Sequence, residues 1–134
     1  MTDFSILFPD RDTTGWDTNT ASVVGKLKIG NRGALFTGDS PQSIEKYLIK
    51  QDGKNIDIDI LKLGHHGSKT SSSEEFLRAT SPGLSIISAG AGNRYGHPAK
   101  EVVDLIKKLN IPSVSTQDVG TVTLETDGLK WFRK

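Results

Sequence analysis

Cysteine is absent from the 134 residues, which excludes disulfides, thiolate chemistry and cysteine-type zinc sites. That absence leaves the compartment open. An excess of one charge sign is lacking too, with 17 Lys and Arg against 16 Asp and Glu and a net charge of +1. A nucleic-acid partner therefore cannot be argued from bulk charge, and any basic footprint must be local. No apolar run approaches the roughly 20 residues that a membrane helix needs. The opening MTDFSILFPD has no basic region leading into a long apolar stretch and is not expected to be a signal peptide. Met1 fits either a native start or a boundary inside a longer chain. Internal repeats, low-complexity segments, a glycine-rich phosphate loop and a serine nucleophile elbow are likewise missing.

What is present is ordinary for a globular domain: 34% hydrophobic and 25% charged residues. The length suits one domain with a real core and not two, so a single domain over 1–134 is expected. Phe4 to Phe8 reads as a short strand stopped by Pro9, and Asp10 to Thr20 as a long polar loop carrying Trp16. Ser22 to Ile29 and Ala34 to Thr37 read as a hairpin around Gly30-Asn31-Arg32-Gly33. Ser40-Pro41 has the form of a helix start, with Ser40 as N-cap and Ile44, Tyr47 and Leu48 as the apolar face. A strand is predicted over Ile56 to Leu63, then a capping box of Ser72 and Glu75 opening a short helix through Phe76 and Leu77. Leu84 to Ser88 reads as a strand. Pro98 to Leu109 reads as a helix burying Val102, Val103, Ile106 and Leu109. Strands are expected at Val114 to Thr116, Thr121 to Thr126 and Leu129 to Arg133, with a turn at Asp127-Gly128. Strands alternating with about three helices predict a layered α/β domain with a mixed sheet.

The three histidines all fall in glycine-flanked junctions, Gly64-His65-His66-Gly67 and Gly96-His97-Pro98. Asp39 sits in a third junction, Thr37-Gly38-Asp39-Ser40, between a strand end and a helix start. In layered α/β folds, ligand and catalytic groups gather on loops at strand ends. Three such exits bearing Asp39, His65-His66 and His97 predict one convergent polar site. Each piece also has a plain structural reading. Asp39 can be a helix-entry acid, the histidine pair a surface turn, His97 an N-cap-like residue before Pro98, and Ser68, Ser71, Ser72 and Ser73 loop and capping residues.

Taken together, the strings LFTGDS, DILKLGHHGSKTSSSEEFL and ISAGAGNRYGHPAKEVVDLIKKLNIPSVSTQDVGTVTLETDG are more specific than any one piece. They resemble the C-terminal part of the metallo-β-lactamase domain of ComEC-type DNA-uptake competence proteins. The resemblance runs from about Leu7 nearly to the C-terminus, with GHHGSKTSS and NRYGHP its most specific motifs. It implies the second half of a four-layer αββα sandwich that holds two divalent metals, zinc or manganese, at the seam between two similar halves. Carried over, Asp39 matches the bridging aspartate, and the His65-His66 pair holds the further metal ligand. The choice falls on His66, with His65 as its substrate-facing neighbour. His97 joins these three as a catalytic-site residue, and Ser68, Lys69, Asn93 and Arg94 match positions around the substrate pocket. These types suit the chemistry, since zinc takes imidazole nitrogen and carboxylate oxygen, and Ser, Lys, Arg and Asn hold phosphate.

The sequence departs from that family in one respect. The H-x-H-x-D-H motif of the first half, which supplies most metal ligands, is absent. The resemblance therefore implies a parent nuclease that cleaves DNA phosphodiesters during uptake, membrane-attached in bacteria. It further implies a chain that by itself is inactive and binds metal weakly or not at all. DNA, the missing N-terminal half and a second copy of the chain are the partners implied. Two rivals stand beside this reading: a small phosphoester or lactam hydrolase of the same fold, and a metal-free half-domain used for binding or scaffolding. An apolar sheet face left without its partner is also expected, covered by a dimer or by the C-terminal strands folding over it.

Overall fold

A computed structural model describes all residues 1–134. The chain forms a six-stranded mixed sheet in the order β1-β2-β3-β4-β5-β6, with strands at Thr2–Phe8, Val24–Ile29, Arg32–Phe36, Ile60–Lys62, Leu84–Ile87 and Ser113–Ser115. β1, β2 and β3 pair antiparallel, and β3 to β6 run parallel. Helices α1 (Gln42–Asp52), α2 (Glu74–Thr80) and α3 (Lys100–Lys108) fill the three parallel crossovers. Because the strand order never reverses, crossovers of one hand lay all three helices on the same face of the sheet. One cluster accordingly joins Ile44 and Leu48 of α1, Phe76 and Leu77 of α2, and Val102 and Ile106 of α3 to the inward strand residues Val24, Leu35, Leu61 and Ile87. Each such side chain fully buried contributes about 1.5–3 kcal/mol. The α/β class with a mixed sheet is as expected.

The element ends differ in instructive ways. Ser40 is not the N-cap of α1; Pro41 holds that position, and the Ser40 hydroxyl is buried without a partner. Tyr47 is only partly buried, and the third inward residue of α1 is instead Glu45. The expected strand over Ile56 to Leu63 shrinks to Ile60–Lys62, since Ile56 closes a 3-10 turn over Gly53–Ile56. The alternating isoleucines before β4 are buried without extended pairing. The cap of α2 is Ser73, whose hydroxyl accepts from the Phe76 amide at 3.2 Å, and not Ser72, which has a φ of 61°. The helix predicted from Pro98 starts at Lys100, and Val103 and Leu109 are only partly buried. A fourth short helix, α4 (Thr116–Val119), follows β6, taking Thr116 from the expected strand and filling the stretch after it for which no element was expected.

The opposite face of the sheet is bare of helices. Strand register lines up Ile6, Gly25, Phe36, Lys62, Ile86 and Val114 in one row across it. Phe4, Leu27, Ala34, Ile60 and Leu84 form the next row. Gly25 leaves room for the Phe4 ring that crosses it, since a Cβ there would lie 2.3 Å from the ring tip and the ring would have to shift. The C-terminal strands β7 (Leu124–Thr126) and β8 (Trp131–Arg133) pair only with each other. Their turn seats on the β2–β3 turn, where the Asn31 amide donates to the Gly128 carbonyl at 3.0 Å and Arg32 Nε to the Leu129 carbonyl at 2.6 Å. They leave Phe4, Ile6 and Phe36 exposed at 55%, 53% and 43%, so they do not cover the face at β1–β3.

Candidate functional site

The carboxyl ends of β3, β4 and β5 are neighbours, and each feeds one motif-bearing loop. β3 leads to Thr37-Gly38-Asp39, β4 to Gly64-His65-His66-Gly67, and β5 to the loop ending at His97. The sheet order alone therefore brings Asp39, the histidine pair and His97 to one edge.

Local bonds fix these loops against each other. The His65 amide donates to the Gly38 carbonyl at 2.9 Å, and Thr37 Oγ1 donates to the Lys62 carbonyl at 3.1 Å. Ser71 Oγ donates to the Ser40 carbonyl at 2.6 Å, and the Gln42 amide to the Thr70 carbonyl at 3.0 Å. Glu45 reaches from α1 to accept from the Ser72 amide and, at 2.9 Å, from the Ser73 amide. Burial pushes its carboxyl pKa up, against the pull of the Ser73 and Ser72 amides. On the other side the Ala99 amide donates to the Gly67 carbonyl at 2.9 Å. Gly67 allows this approach, since its φ is 83° and a Cβ would sit 2.7 Å from that of Pro98.

His65 and His66 both have left-handed backbone, with φ of 48° and 58°. That conformation costs a residue with a Cβ roughly 1–2 kcal/mol, and such strain gathers at functional sites. Here it splays the two imidazoles, with ring centres 6.0 Å apart and planes at 66°.

His66 turns toward Asp39. Its Nε2 lies 3.6 Å from Asp39 Oδ1, and its Nδ1 lies 2.7 Å from the Ser88 carbonyl. Because that carbonyl can only accept, Nδ1 carries the hydrogen, and in a neutral ring Nε2 is left with a lone pair. Two acceptors then face each other, an arrangement that calls for a proton or a cation between them. A histidine whose second nitrogen is held by a backbone carbonyl is the usual form of a metal ligand. His65 takes another direction: its Nδ1 is 3.4 Å from Thr70 Oγ1 and its ring packs edge-on against His97 at 5.6 Å. Burial, then the neighbouring His65 and His66, holds the His97 pKa below the ordinary histidine value, and its Nδ1 is buried without a partner. Lys62, on the bare sheet face, has its pKa lowered by burial and is drawn partly back by the charge of Asp39.

The expected pocket residues divide. Lys69 and Arg94 are exposed, and Arg94 rests on the neighbouring Tyr95. Ser68 is buried, with Oγ 3.0 Å from Thr70 Oγ1 and accepting from the Thr70 amide. Asn93 is engaged within its own loop: Nδ2 donates to the Gly90 and His97 carbonyls at 3.0 and 2.6 Å, and Oδ1 accepts from the His97 amide at 3.0 Å. It holds the loop while also lining the cleft beside His66. Gln117 of α4 donates to the same two carbonyls at 2.8 and 2.9 Å. Glu45, Ser88 and Gln117 were not expected at the site. Only Glu45 left a signal, a carboxylate beside Ile44 on the inward face of a helix.

The family resemblance implies two divalent metals, and the donor set fits one side of such a site. Asp39 and His66 offer two donors aimed at one point, but no group of three His, Cys, Asp or Glu side chains able to hold a metal exists in the chain. A catalytic zinc site needs about three protein ligands. This chain fits as part of a metal site and not as a whole one.

No family model matches the chain. Its homologues, over about nine-tenths of its length, are competence and recombination proteins of the ComEC type. They include ComE operon protein 3 of Bacillus subtilis strain 168, 36% identical over 119 residues, 89% of this chain. Competence protein ComA of Neisseria gonorrhoeae is 36% identical over 120 residues, 90% of the chain. Recombination protein 2 of Haemophilus influenzae is 35% identical over 119 residues, again 89% of the chain. The chain spans only 15%, 17% and 15% of those proteins. No helix of the chain is long and apolar enough to cross a membrane.

Proposed function

We propose that this chain is the distal half of a metallo-β-lactamase-type, metal-dependent phosphodiesterase domain that acts on DNA in competence. The observation that carries the reading is the Asp39–His66 pair, two acceptors 3.6 Å apart with the second His66 nitrogen anchored on Ser88. Similarity to competence proteins much longer than this chain supports both the context and the partial nature of the site. Asp39 and His66 would hold the metal, while His65 and His97 face the substrate side. A divalent metal supplies a Lewis acid and a bound hydroxide at neutral pH. Burial disfavours the charged form of His97, and exposed Lys69 and Arg94 attract and orient the phosphodiester.

The bare sheet face supports the same reading. A face carrying exposed Phe4, Ile6 and Phe36 is suited to a second sheet packed across it, as in a two-sheet sandwich. The preceding segment of a longer protein is the proposed occupant, and a second copy of the chain takes its place when that segment is missing.

The test is complementation. The chain is mixed with the segment that precedes the matched region in the Bacillus relative, and cleavage of a labelled oligonucleotide is followed with manganese or zinc. The expected result is no cleavage by the chain alone, metal-dependent cleavage by the pair, and loss of cleavage with Asp39→Ala or His66→Ala. Variants that complement as well as the unaltered chain would overturn the reading.

A further inference from the structure

Beside the Asp39–His66 pair lies a cavity of about 190 Å³ lined by His66, Ala89, Gly90, Asn93, Tyr95 and His97. Three of these six residues carry aromatic rings. Tyr95 is 67% exposed and contributes nothing to the core, yet its ring is stacked on that of His97 at 5.9 Å with planes 16° apart. The Arg94 guanidinium lies over the Tyr95 ring, 5.0 Å from its centre, and donates to its hydroxyl at 2.8 Å, so a base that stacks there displaces it toward the phosphate. An exposed loop would normally be free to move. This one is held from two sides, because Asn93 and Gln117 both donate to the Gly90 and His97 carbonyls. The backbone that carries the aromatic ring is therefore held before any ligand arrives, which removes part of the ordering cost from binding.

We propose that this cleft is a nucleobase subsite in which the base of the nucleotide next to the scissile phosphodiester stacks on Tyr95. The inference rests on the reading of Asp39 and His66 as the phosphate end of the site. A nucleobase matches the cleft in three respects: it is planar, it has a π-face that any aromatic ring accepts without regard to sequence, and it carries a phosphate beside it for Arg94. A base inside an intact duplex is stacked on its neighbours and cannot enter. The strand engaged here must be unpaired at that nucleotide, as in single-stranded DNA or a frayed end.

The experiment reads binding on the chain itself and needs no cleavage. Aromatic and amide NMR signals are followed during titration with a short oligothymidylate, with the same oligonucleotide carrying abasic positions, and with a blunt duplex. The oligothymidylate is expected to shift Tyr95, Gly90 and His97, and the abasic strand and duplex to leave them in place. Tyr95→Ala should weaken oligothymidylate binding roughly 5- to 150-fold, the range that loss of one base–aromatic stack gives. Tyr95→Phe should restore it. Equal binding of the normal and abasic strands, or shifts confined to His66 and Lys69, would overturn the subsite while leaving the phosphodiesterase reading intact. Base-dependent shifts at Tyr95 without metal-dependent cleavage by the complemented pair would do the reverse.

Discussion

Replacing Glu45 by alanine tests how the two site loops are kept in register. Glu45 is 2% exposed, and its carboxyl accepts from the Ser72 and Ser73 amides at the close of the histidine loop. Each amide left without an acceptor costs about 1–3 kcal/mol, while deletion of a buried carboxyl recovers part of its desolvation. A net loss of about 2–4 kcal/mol is expected, read as a lower urea midpoint at unchanged slope. The pH dependence carries a sign. Burial raises the Glu45 pKa above 4.5, so its stabilising contribution is complete below that value and declines as pH rises through the folded pKa. The deficit of Glu45→Ala should therefore be larger near pH 4 than near pH 8. A loss below roughly 0.5 kcal/mol, as for an ordinary surface change, would refute the clamp. A deficit that grows with pH would refute the dominance of burial over the amide bonds.

Three further outcomes follow from geometry. At His65, whose φ is 48°, the glycine variant should be more stable than the alanine variant by about 1 kcal/mol, the reverse of the usual order, in thermal unfolding; an alanine variant equal or better would remove the strain argument. Gly67→Ala should cost about 2 kcal/mol, because its Cβ meets Pro98 at 2.7 Å, and an unchanged melting temperature would show that the loops do not need that approach. The chain should bind a hydrophobic dye and associate with rising concentration in light scattering, and Phe4→Lys with Phe36→Lys should abolish both. A clean monomer without dye binding would reject the unpartnered face.

The order of strands and helices was legible because periodicity and glycine punctuation mark where elements begin and end. Ile44 with Leu48, and Val102 with Ile106, fall at helical spacing and pack inward. What stayed hidden was decided by tertiary contact. Ile56 to Ile58 reads as strand because Ile and Asp alternate, but Ile56 is buried at the close of a 3-10 turn and Ile58 just after it. Ser72 resembles a cap, yet its backbone is left-handed at φ 61°, and the extended Ser73 caps the helix instead. At the site, the glycine-flanked histidines and Asp39 were legible as a group, because neighbouring parallel strands carry their loops. The choice of His66 over His65 rested on the family resemblance and not on the residues themselves, which do not reveal the left-handed backbone or the Ser88 carbonyl bond that turn His66 toward Asp39. Asn93 looked like a ligand contact for the same reason that it makes a good loop clamp: its amide both donates and accepts.

The most direct test of the account is a zinc titration of the chain followed by the ¹⁵N shifts of the histidine rings. Weak binding that moves His66 Nε2, leaves His65 in place and disappears in Asp39→Ala is the predicted result. Zinc shifts at His65 alone, undiminished binding by Asp39→Ala, or two tight sites on the monomer would contradict it.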